Sequence, residues 1–362
     1  MALGRGATWG HDRLMPFDEA RDARRHAADS RHAAKSRQVA EGRPRAAAKA
    51  ADNTPTNAAA IAEQVWSGSP FLRHSALEAG VVTENELRQG FVRLAPRIYV
   101  VRWAQEDPHA RVRAVAMWAP REAVLAGAGA ALLHGERWLS AAAVSKPIDV
   151  YLPGGPRHPK LVRYRRKRPC LRAEHVALVQ GIPCTTISRT AVDLARWERD
   201  DIAAVVAVDS LCNSTGTTIA EVAESARGMR RLHGLARARA LLGFCDHRAD
   251  SPPETRFRLL IKTSPLPDAE PQVRIFNRWG GRIATADLAY RHARVALFYD
   301  GGHHLQREQR DFDSNVTAAL DEHGWRSLRV TAGMLRGTAE RATLLRRIAG
   351  LLAAQGVAVP EM

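Results

Sequence analysis

Two acidic residues in neighbouring apolar segments are the side chains in this sequence best placed for chemistry. Asp287 lies within Ala286–Tyr290, and Asp300 ends the apolar run Val295–Tyr299. A carboxylate at the end of a buried strand is costly unless it has a partner. Mg²⁺ is such a partner, because it binds one or two carboxylates together with waters and phosphate oxygens. A metal held there would activate water and polarise a phosphodiester, so the pattern indicates metal-dependent hydrolysis.

The residues after Asp300 offer a second chemical group. Gly301 and Gly302 let the backbone turn sharply, and His303 and His304 follow at once. Histidine serves as a general acid or base near neutral pH. A plainer interpretation stays open, because Asp and Gly are common turn residues and the two histidines can be ordinary loop residues.

The segments around these residues alternate between helix and strand. The order is helix, three strands, helix, strand and helix, and the polar segment Asp246–Pro253 separates it from the chain before it. We therefore predict an α/β domain over residues 249–362. The predicted helices are Glu254–Ile261, Asp311–His323 and Thr338–Gln355, and the predicted strands are Gln272–Phe276, Ile283–Tyr290, Val295–Tyr299 and Trp325–Val330.

The chain before this domain divides into three regions. Residues 1–60 are rich in Ala and Arg and poor in apolar side chains, so we expect them to be disordered. Residues 61–105 have the outline of a winged helix. Its predicted elements are a helix over Phe71–Gly80, a capping box at Thr83–Glu86 that opens a short helix to Gly90, and strands at Phe91–Leu94 and Arg97–Val101.

Residues 106–248 are predicted to be mainly helical with a short sheet. Gly127-Ala128-Gly129 falls inside a predicted helix, which argues against a phosphate-binding loop. The predicted helices are Pro108–Trp118, Glu122–Leu133, Thr185–Arg196 and a broken series from Ile202 to Leu242, and the predicted strands are Pro147–Leu152 and Leu161–Arg168.

The charge of the chain favours a polyanionic partner. The formal net charge is +16, and a charge of this size speeds association with nucleic acid. A basic run around Tyr164 is the candidate phosphate-binding surface. Two alternatives stay open: the run is a solvated strand face, and the abundance of Arg and Ala reflects a GC-rich coding sequence. The basic run consists of Arg163, Arg165, Arg166, Lys167 and Arg168.

Other patterns restrict the class of protein. No stretch approaches the ~20 apolar residues of a membrane span, and the first residues lack an apolar signal-peptide core, so we expect a cytoplasmic protein without a membrane partner. The cysteines Cys170, Cys184, Cys212 and Cys245 form no C-x-x-C pair. This predicts buried thiols and not a zinc ribbon.

The C-terminal motifs resemble a known family. The resemblance is carried by Ser251–Arg256, Asp287–Tyr290, Val295–Gly301, His303-His304, Asp313 and Gly324–Arg326. Together they resemble the DUF559 domain, a relative of the very-short-patch repair endonuclease in the PD-(D/E)XK superfamily. The region from about Ala60 to Leu242 resembles the upstream half of actinobacterial proteins that pair such a domain with an AbiEi-type antitoxin winged helix. This second resemblance is carried by Gly80, Arg97-Ile98-Tyr99, Gly135 and Thr185–Ala195.

The resemblance implies roles for individual residues. Glu254 would be the helical acid that supports a metal-bound water, and Asp287 would be the principal ligand of Mg²⁺. Asp300 would be the acid that follows the usual glutamate and tyrosine, and His303 and His304 would match the paired histidines of the family.

The sequence departs from the family at two positions. Phe298 occupies the position of the usual glutamate ligand. Thr285 occupies the position where an arginine often precedes the first acid. One explanation is a degenerate site in a binding module. The other is the repair-endonuclease branch, in which the equivalent of Asp287 is assisted by a backbone carbonyl, here that of Tyr299, and by histidines.

These observations lead to two functional hypotheses. The first is a DNA-associated protein with a restriction-endonuclease-like C-terminal domain that hydrolyses phosphodiesters with Mg²⁺. The second is a non-catalytic DNA-binding regulator that resembles a type IV antitoxin, with a cognate toxin or a second copy of the chain as further partners. Phe298 favours the second hypothesis, and the retained acids and histidines favour the first.

Overall fold

The computed structural model describes residues 55–139, 147–152, 161–166, 171–300 and 307–360. They form a mixed α/β structure with three sheets, which confirms the expected class at that level. They divide into two compact units with the boundary between His247 and Arg248. We call them the N-terminal unit (residues 55–247) and the C-terminal unit (residues 248–360). Residues 1–54 of the segment predicted to be disordered lie outside the described residues. The last residues of that segment, from Pro55 onward, belong to a helix.

The N-terminal unit opens with three helices and a small antiparallel sheet in the strand order β1-β3-β2. The capping box predicted at Thr83 is confirmed: the Thr83 hydroxyl accepts the Glu86 N–H, and the Glu86 carboxylate accepts the Thr83 N–H at 2.8 Å. The elements are α1 (Pro55–Trp66), β1 (Phe71–Leu72), α2 (Arg73–Glu78), α3 (Glu84–Gly90), β2 (Phe91–Ala95) and β3 (Ile98–Val101).

The helix predicted over Phe71–Gly80 is wrong in its first two residues. Phe71 and Leu72 are a strand that pairs with Tyr99 and Ile98. Phe71 is buried edge-on against the ring of Phe91, with 5.4 Å between the ring centroids. Pairing with β3 and burial of an aromatic ring outweigh the local helical pattern, which takes over only from Arg73.

The rest of the N-terminal unit is a five-stranded sheet with helices packed around it. The strand order is β6-β5-β4-β8-β7, with β4 and β8 parallel, β5 and β6 parallel, and the other neighbours antiparallel. The elements are α4 (Pro108–Trp118), β4 (Val124–Leu125), α5 (Gly127–Leu133), β5 (Ile148–Leu152), β6 (Val162–Arg166), β7 (Val176–Val179), β8 (Ile182–Thr185), α6 (Ile187–Trp197), α7 (Asp201–Thr215), α8 (Ile219–Gly228) and α9 (Leu235–Leu242).

The sheet is larger than the short sheet expected from the sequence. The helix predicted over Glu122–Leu133 is wrong in its first half, because Val124 and Leu125 form the central strand β4. Gly127 then adopts a positive φ of 56°, which separates that strand from α5. Gly127-Ala128-Gly129 therefore follows a strand and opens a helix of seven residues, instead of lying inside a longer one.

The C-terminal unit has the predicted order of helix, three strands, helix, strand and helix. Its sheet has the order β12-β11-β10-β9, with β12 parallel to β11 and the other pairs antiparallel. The elements are α10 (Pro252–Lys262), β9 (Glu270–Phe276), β10 (Arg282–Tyr290), β11 (Val295–Asp300), α11 (Arg307–Glu322), β12 (Arg326–Thr331) and α12 (Thr338–Ala354).

Helices cover both faces of this sheet. On β11, Leu297 belongs to the cluster formed with α10 and α12, whereas Ala296 belongs to the cluster that includes Leu320 of α11. Alternate residues of a strand point to opposite faces, so α11 lies on the other side of the sheet from α10 and α12. An apolar strand buried on both faces explains the unbroken run Val295–Tyr299.

Two other expectations concern cysteines and membrane spans. Cys184 and Cys212 are buried free thiols and Cys245 is half-buried, while Cys170 lies outside the described residues. Within the described ranges, no single helix is long and apolar enough to cross a membrane. One bent pair, Asp201–Thr215 with Ile219–Gly228 at 113°, passes that test jointly, by length and composition only.

Candidate functional site

The first turn of α10 holds Glu254 in a network of hydrogen bonds. Ser251 caps the helix: its hydroxyl accepts the Glu254 N–H at 3.4 Å and donates to the Glu254 carboxylate at 2.6 Å. The backbone N–H of Asp250 and the side-chain amide of Gln272 donate to the other carboxylate oxygen, both at 3.0 Å. Burial nevertheless raises the pKa of Glu254. The side chain is thus fixed at the helix start and beside β9.

Asp287 on β10 is half-buried and close to the charge of Glu254. Its carboxylate accepts the backbone N–H of Tyr299 at 2.6 Å, across the ladder between β10 and β11. Burial, and then the negative charge of Glu254, raise the pKa of Asp287 to about 7, against the opposing effects of the Tyr299 hydrogen bond and the charge of Arg329. Two elements far apart in sequence therefore place two acids within electrostatic reach of each other. We call Glu254 and Asp287 the acid pair.

The structure describes one of the other three predicted catalytic residues, Asp300. Asp300 ends β11 in register with Thr331 of β12. No group of three or more His, Cys, Asp or Glu side chains that could hold a metal occurs within the described residues. His303 and His304 lie outside those residues. Of the five predicted catalytic residues, Glu254 and Asp287 interact electrostatically and Asp300 lies at the end of β11. His303 and His304 are not described.

Phe298 lies between an apolar cluster and an arginine. Its ring packs on the apolar cluster beside α11, and the guanidinium carbon of Arg329 lies 5.9 Å from the ring centroid. Arg329 is the β12 neighbour of Phe298 in the parallel register. The position that holds a ligand in the resembled family therefore carries core packing here, and a cation lies close to Asp287.

The basic run on β6 is only partly available to phosphate. Arg165 forms an ion pair with the largely buried Asp149 at 2.7 Å, and its guanidinium lies 3.9 Å from the ring centroid of Trp197. Arg163 approaches the same carboxylate at 3.6 Å. The strand turns the Arg165 side chain toward an interior acid. The phosphate-binding role of the basic run stays a prediction. The side chain of Arg166 and residues Lys167 and Arg168 lie outside the described part.

Replacing Arg165 by alanine is expected to lower the free energy of unfolding by about 1–3 kcal/mol, because it leaves the Asp149 carboxylate with a weaker partner and removes the stacking on Trp197. Urea unfolding measures the change. Arg172→Ala is the control, since its ion pair with Glu174 is exposed and is expected to contribute below about 0.5 kcal/mol. Equal stability of the two variants would contradict this placement of Arg165.

A buried polar network in the N-terminal unit was missed by the sequence analysis. Asp193 accepts hydrogen bonds from Arg189 at 3.0 Å, from Arg196 at 2.7 Å and from the Tyr151 hydroxyl at 3.0 Å. Both guanidinium groups also donate to the Tyr151 oxygen. Arg189 and Asp193 are fully buried. The i, i+4 and i+7 spacing of the three charged residues on α6 was the available signal, because it places them on one helix face.

Comparison with known proteins adds two relatives. The chain is 31% identical over 148 residues, 41% of its length, to the uncharacterized proteins MT2308 and Rv2248 of Mycobacterium tuberculosis, strains CDC 1551 / Oshkosh and ATCC 25618 / H37Rv. The match covers 54% of each, so the chain spans about half the length of these curated relatives. No protein-family profile matches the chain, and no solved structure matches it significantly.

Proposed function

We propose that the protein associates with DNA and that its C-terminal unit hydrolyses phosphodiester bonds with a divalent cation at the acid pair. The observation that carries the proposal is the placement of two acids on α10 and β10. Asp287, held by the Tyr299 N–H at 2.6 Å, lies close enough to Glu254 for burial and the Glu254 charge to raise the pKa of Asp287 to about 7. Strongly perturbed acids in pairs are typical of functional sites, because a cation or a proton must offset their repulsion.

The acid pair offers ligands that suit Mg²⁺. Both side chains are hard oxygen donors, and Mg²⁺ commonly takes one or two carboxylates and fills its other positions with water and phosphate oxygens. When bound, the cation would activate a water and stabilise charge on the phosphate. Asp287 would be the direct ligand, held by the Tyr299 N–H. Glu254, held by Ser251 and Gln272, would orient a water. Asp300, His303 and His304 stay predicted contributors.

The order of elements supports the nuclease part of the proposal. The C-terminal unit has a helix with Glu254 in its first turn, an antiparallel three-stranded unit with Asp287 on its second strand, and a helix that leads to a parallel strand. This order suits the restriction-endonuclease-like domain that the resemblance to DUF559 implies.

The N-terminal unit supports the DNA-binding part. The order α1-β1-α2-α3-β2-β3, with a three-stranded antiparallel sheet, suits a winged helix in which the β2–β3 hairpin is the wing. The formal net charge of +16 favours association with a polyanion. We further propose that this unit is an AbiEi-type winged helix and that its partner is a cognate toxin or a second copy of the chain.

A second candidate function is a DNA-binding regulator without catalysis. Phe298 favours it, since its ring packs in the core at the position where the resembled family has a ligand. In that case the C-terminal unit would bind DNA or a partner protein, and the acid pair would be a remnant.

The experiment that decides is cleavage of a supercoiled plasmid and of a mismatched duplex by the full chain with Mg²⁺ or Mn²⁺. We expect Asp287→Ala to lower the rate by about 100-fold or more, since it removes the principal ligand. Asp268→Ala is the control, because Asp268 is an exposed acid paired with Lys262. Cleavage that is absent, or equal in wild type and Asp287→Ala, refutes catalysis by the acid pair. DNA binding without cleavage supports the regulator.

A further inference from the structure

The turn between β9 and β10 exposes aromatic side chains that the proposed catalysis does not use. Trp279 at the tip is 73% exposed, and Phe276 at the end of β9 is 50% exposed. Both belong to the largest exposed apolar side chains of the described chain. We call Arg274–Arg282 the aromatic hairpin. Phe276 and Trp279 lie three residues apart at one turn, and exposed apolar side chains that cluster in this way indicate a binding surface.

The tip of the aromatic hairpin is held in a defined shape. The Asn277 side-chain oxygen accepts the backbone N–H groups of Trp279 at 3.0 Å and Gly281 at 2.8 Å. The backbone of Asn277 also pairs with Gly281 and Gly280 across the turn. Gly280 has a positive φ of 82°, which allows the tight turn. The Trp279 ring is therefore presented to solvent by a hydrogen-bonded loop.

The cations around the rings define the chemistry of the partner. Arg274, Arg278 and Arg282 are all exposed, and the guanidinium carbon of Arg278 lies 4.2 Å from the centroid of the Trp279 ring. Within the described residues, none of these three arginines has an acidic partner. Arg282 also lies opposite Phe276 in the strand register. The surface thus combines stacking faces with positive charge and offers a partner no negative charge at the tip.

We propose that the aromatic hairpin binds DNA by stacking Trp279 on an unpaired base while its arginines contact the flanking phosphates. Bases stack on aromatic rings regardless of sequence, and arginine adds phosphate and cation–π contacts. The inference rests on the proposed association with DNA and specifies the substrate as single-stranded or locally unpaired. Asp287 lies along the same strand at roughly 17 Å from Arg282, given the rise of about 3.3 Å per residue. The tip of the aromatic hairpin is therefore separate from the acid pair, whereas Arg274 at its base pairs with Thr285, two residues from Asp287.

The test is the affinity of the full chain for a fluorescein-labelled single strand of about 20 nucleotides and for its duplex, measured by anisotropy. Trp279→Ala is expected to weaken single-strand binding by about 10- to 100-fold and duplex binding far less. Trp279→Phe, which keeps a stacking ring, is expected to restore most of the affinity. Leu178→Ala is the control, because Leu178 is similarly exposed at 72% and belongs to the other unit.

The outcomes separate this inference from the function on which it rests. If wild type binds DNA and Trp279→Ala binds single strands equally well, the inference is overturned and the proposed function stands. If wild type binds neither single nor double strands, both fail. If Trp279→Ala instead abolishes binding to vesicles containing anionic lipid and leaves single-strand binding unchanged, the hairpin belongs to a lipid surface and the inference is overturned. An unchanged thermal midpoint for the Trp279 variants shows that the effect is local.

Discussion

Asp193→Ala is expected to lower the free energy of unfolding by about 3–5 kcal/mol, a large share of the stability of a typical domain. Asp193 is fully buried and is the acceptor shared by Arg189, Arg196 and the Tyr151 hydroxyl. Its loss leaves two guanidinium groups beside one phenol without the carboxylate that both contact. Removing one partner of a buried ion pair is costly, because the remaining charge has lost its hydration and its counterion.

The hydrogen-bond network around Asp193 connects two layers of the N-terminal unit, so its loss is expected to weaken their packing as well as to leave charges unpaired. Arg189, Asp193 and Arg196 lie on α6, which packs against α5, α7, α8 and α9, and Tyr151 lies on β5 of the five-stranded sheet. The network therefore joins the helical layer to the sheet. Burial and the charge of Arg189 also lower the pKa of His175, which is expected to accept from Arg189 as a neutral ring.

Urea unfolding followed by circular dichroism measures the change, with the transition of each unit fitted separately. Glu224→Ala is the matched control: its ion pair with Arg227 is also within one helix but is largely exposed, so we expect a change below about 0.5 kcal/mol. A loss of less than about 1 kcal/mol for Asp193→Ala would show that the network is not a main contributor to stability.

Asp287→Asn is expected to raise the free energy of unfolding, unlike Asp193→Ala, and to remove metal binding. The folded-state pKa of Asp287 is raised from 3.8 to about 7. The folded state therefore binds a proton more tightly than the unfolded state. The stability contributed by the protonated side chain is present below about pH 4 and is lost as pH rises to about 7. Asparagine keeps an acceptor for the Tyr299 N–H and cannot ionise, so we expect the variant to be more stable by about 1–3 kcal/mol at about pH 8.

Added Mg²⁺ should reverse the order of stability. A cation that binds the folded wild type stabilises it by mass action, whereas the variant without the charged ligand gains little. Thermal midpoints at about pH 5 and pH 8, with and without Mg²⁺, test both parts. Asp268→Asn is the control, because Asp268 is exposed and should show neither effect. A destabilised Asp287→Asn without metal would mean that the acid contributes to the fold and not to a site.

The sequence by itself determined the local elements of this protein. The capping box at Thr83, the helix after Ser251-Pro252-Pro253 and the alternation of helix and strand in the C-terminal unit are all confirmed. The reason is that caps, turns and apolar periodicity act between residues a few positions apart. Asp287 was singled out by its place in an apolar strand and Glu254 by the family resemblance, and their roles stay predictions.

Only the tertiary structure decided which distant residues meet. Phe71–Leu72 is a strand because it pairs with β3. Val124–Leu125 is a strand because it pairs with β5 on one side and β8 on the other. Likewise, Arg165 forms an ion pair with Asp149, because the neighbouring strand places that carboxylate opposite it. Asp287 differs from an ordinary acid for the same reason: burial beside the charge of Glu254 is a contact between two elements. Such contacts depend on packing over long sequence separations, which no local pattern encodes.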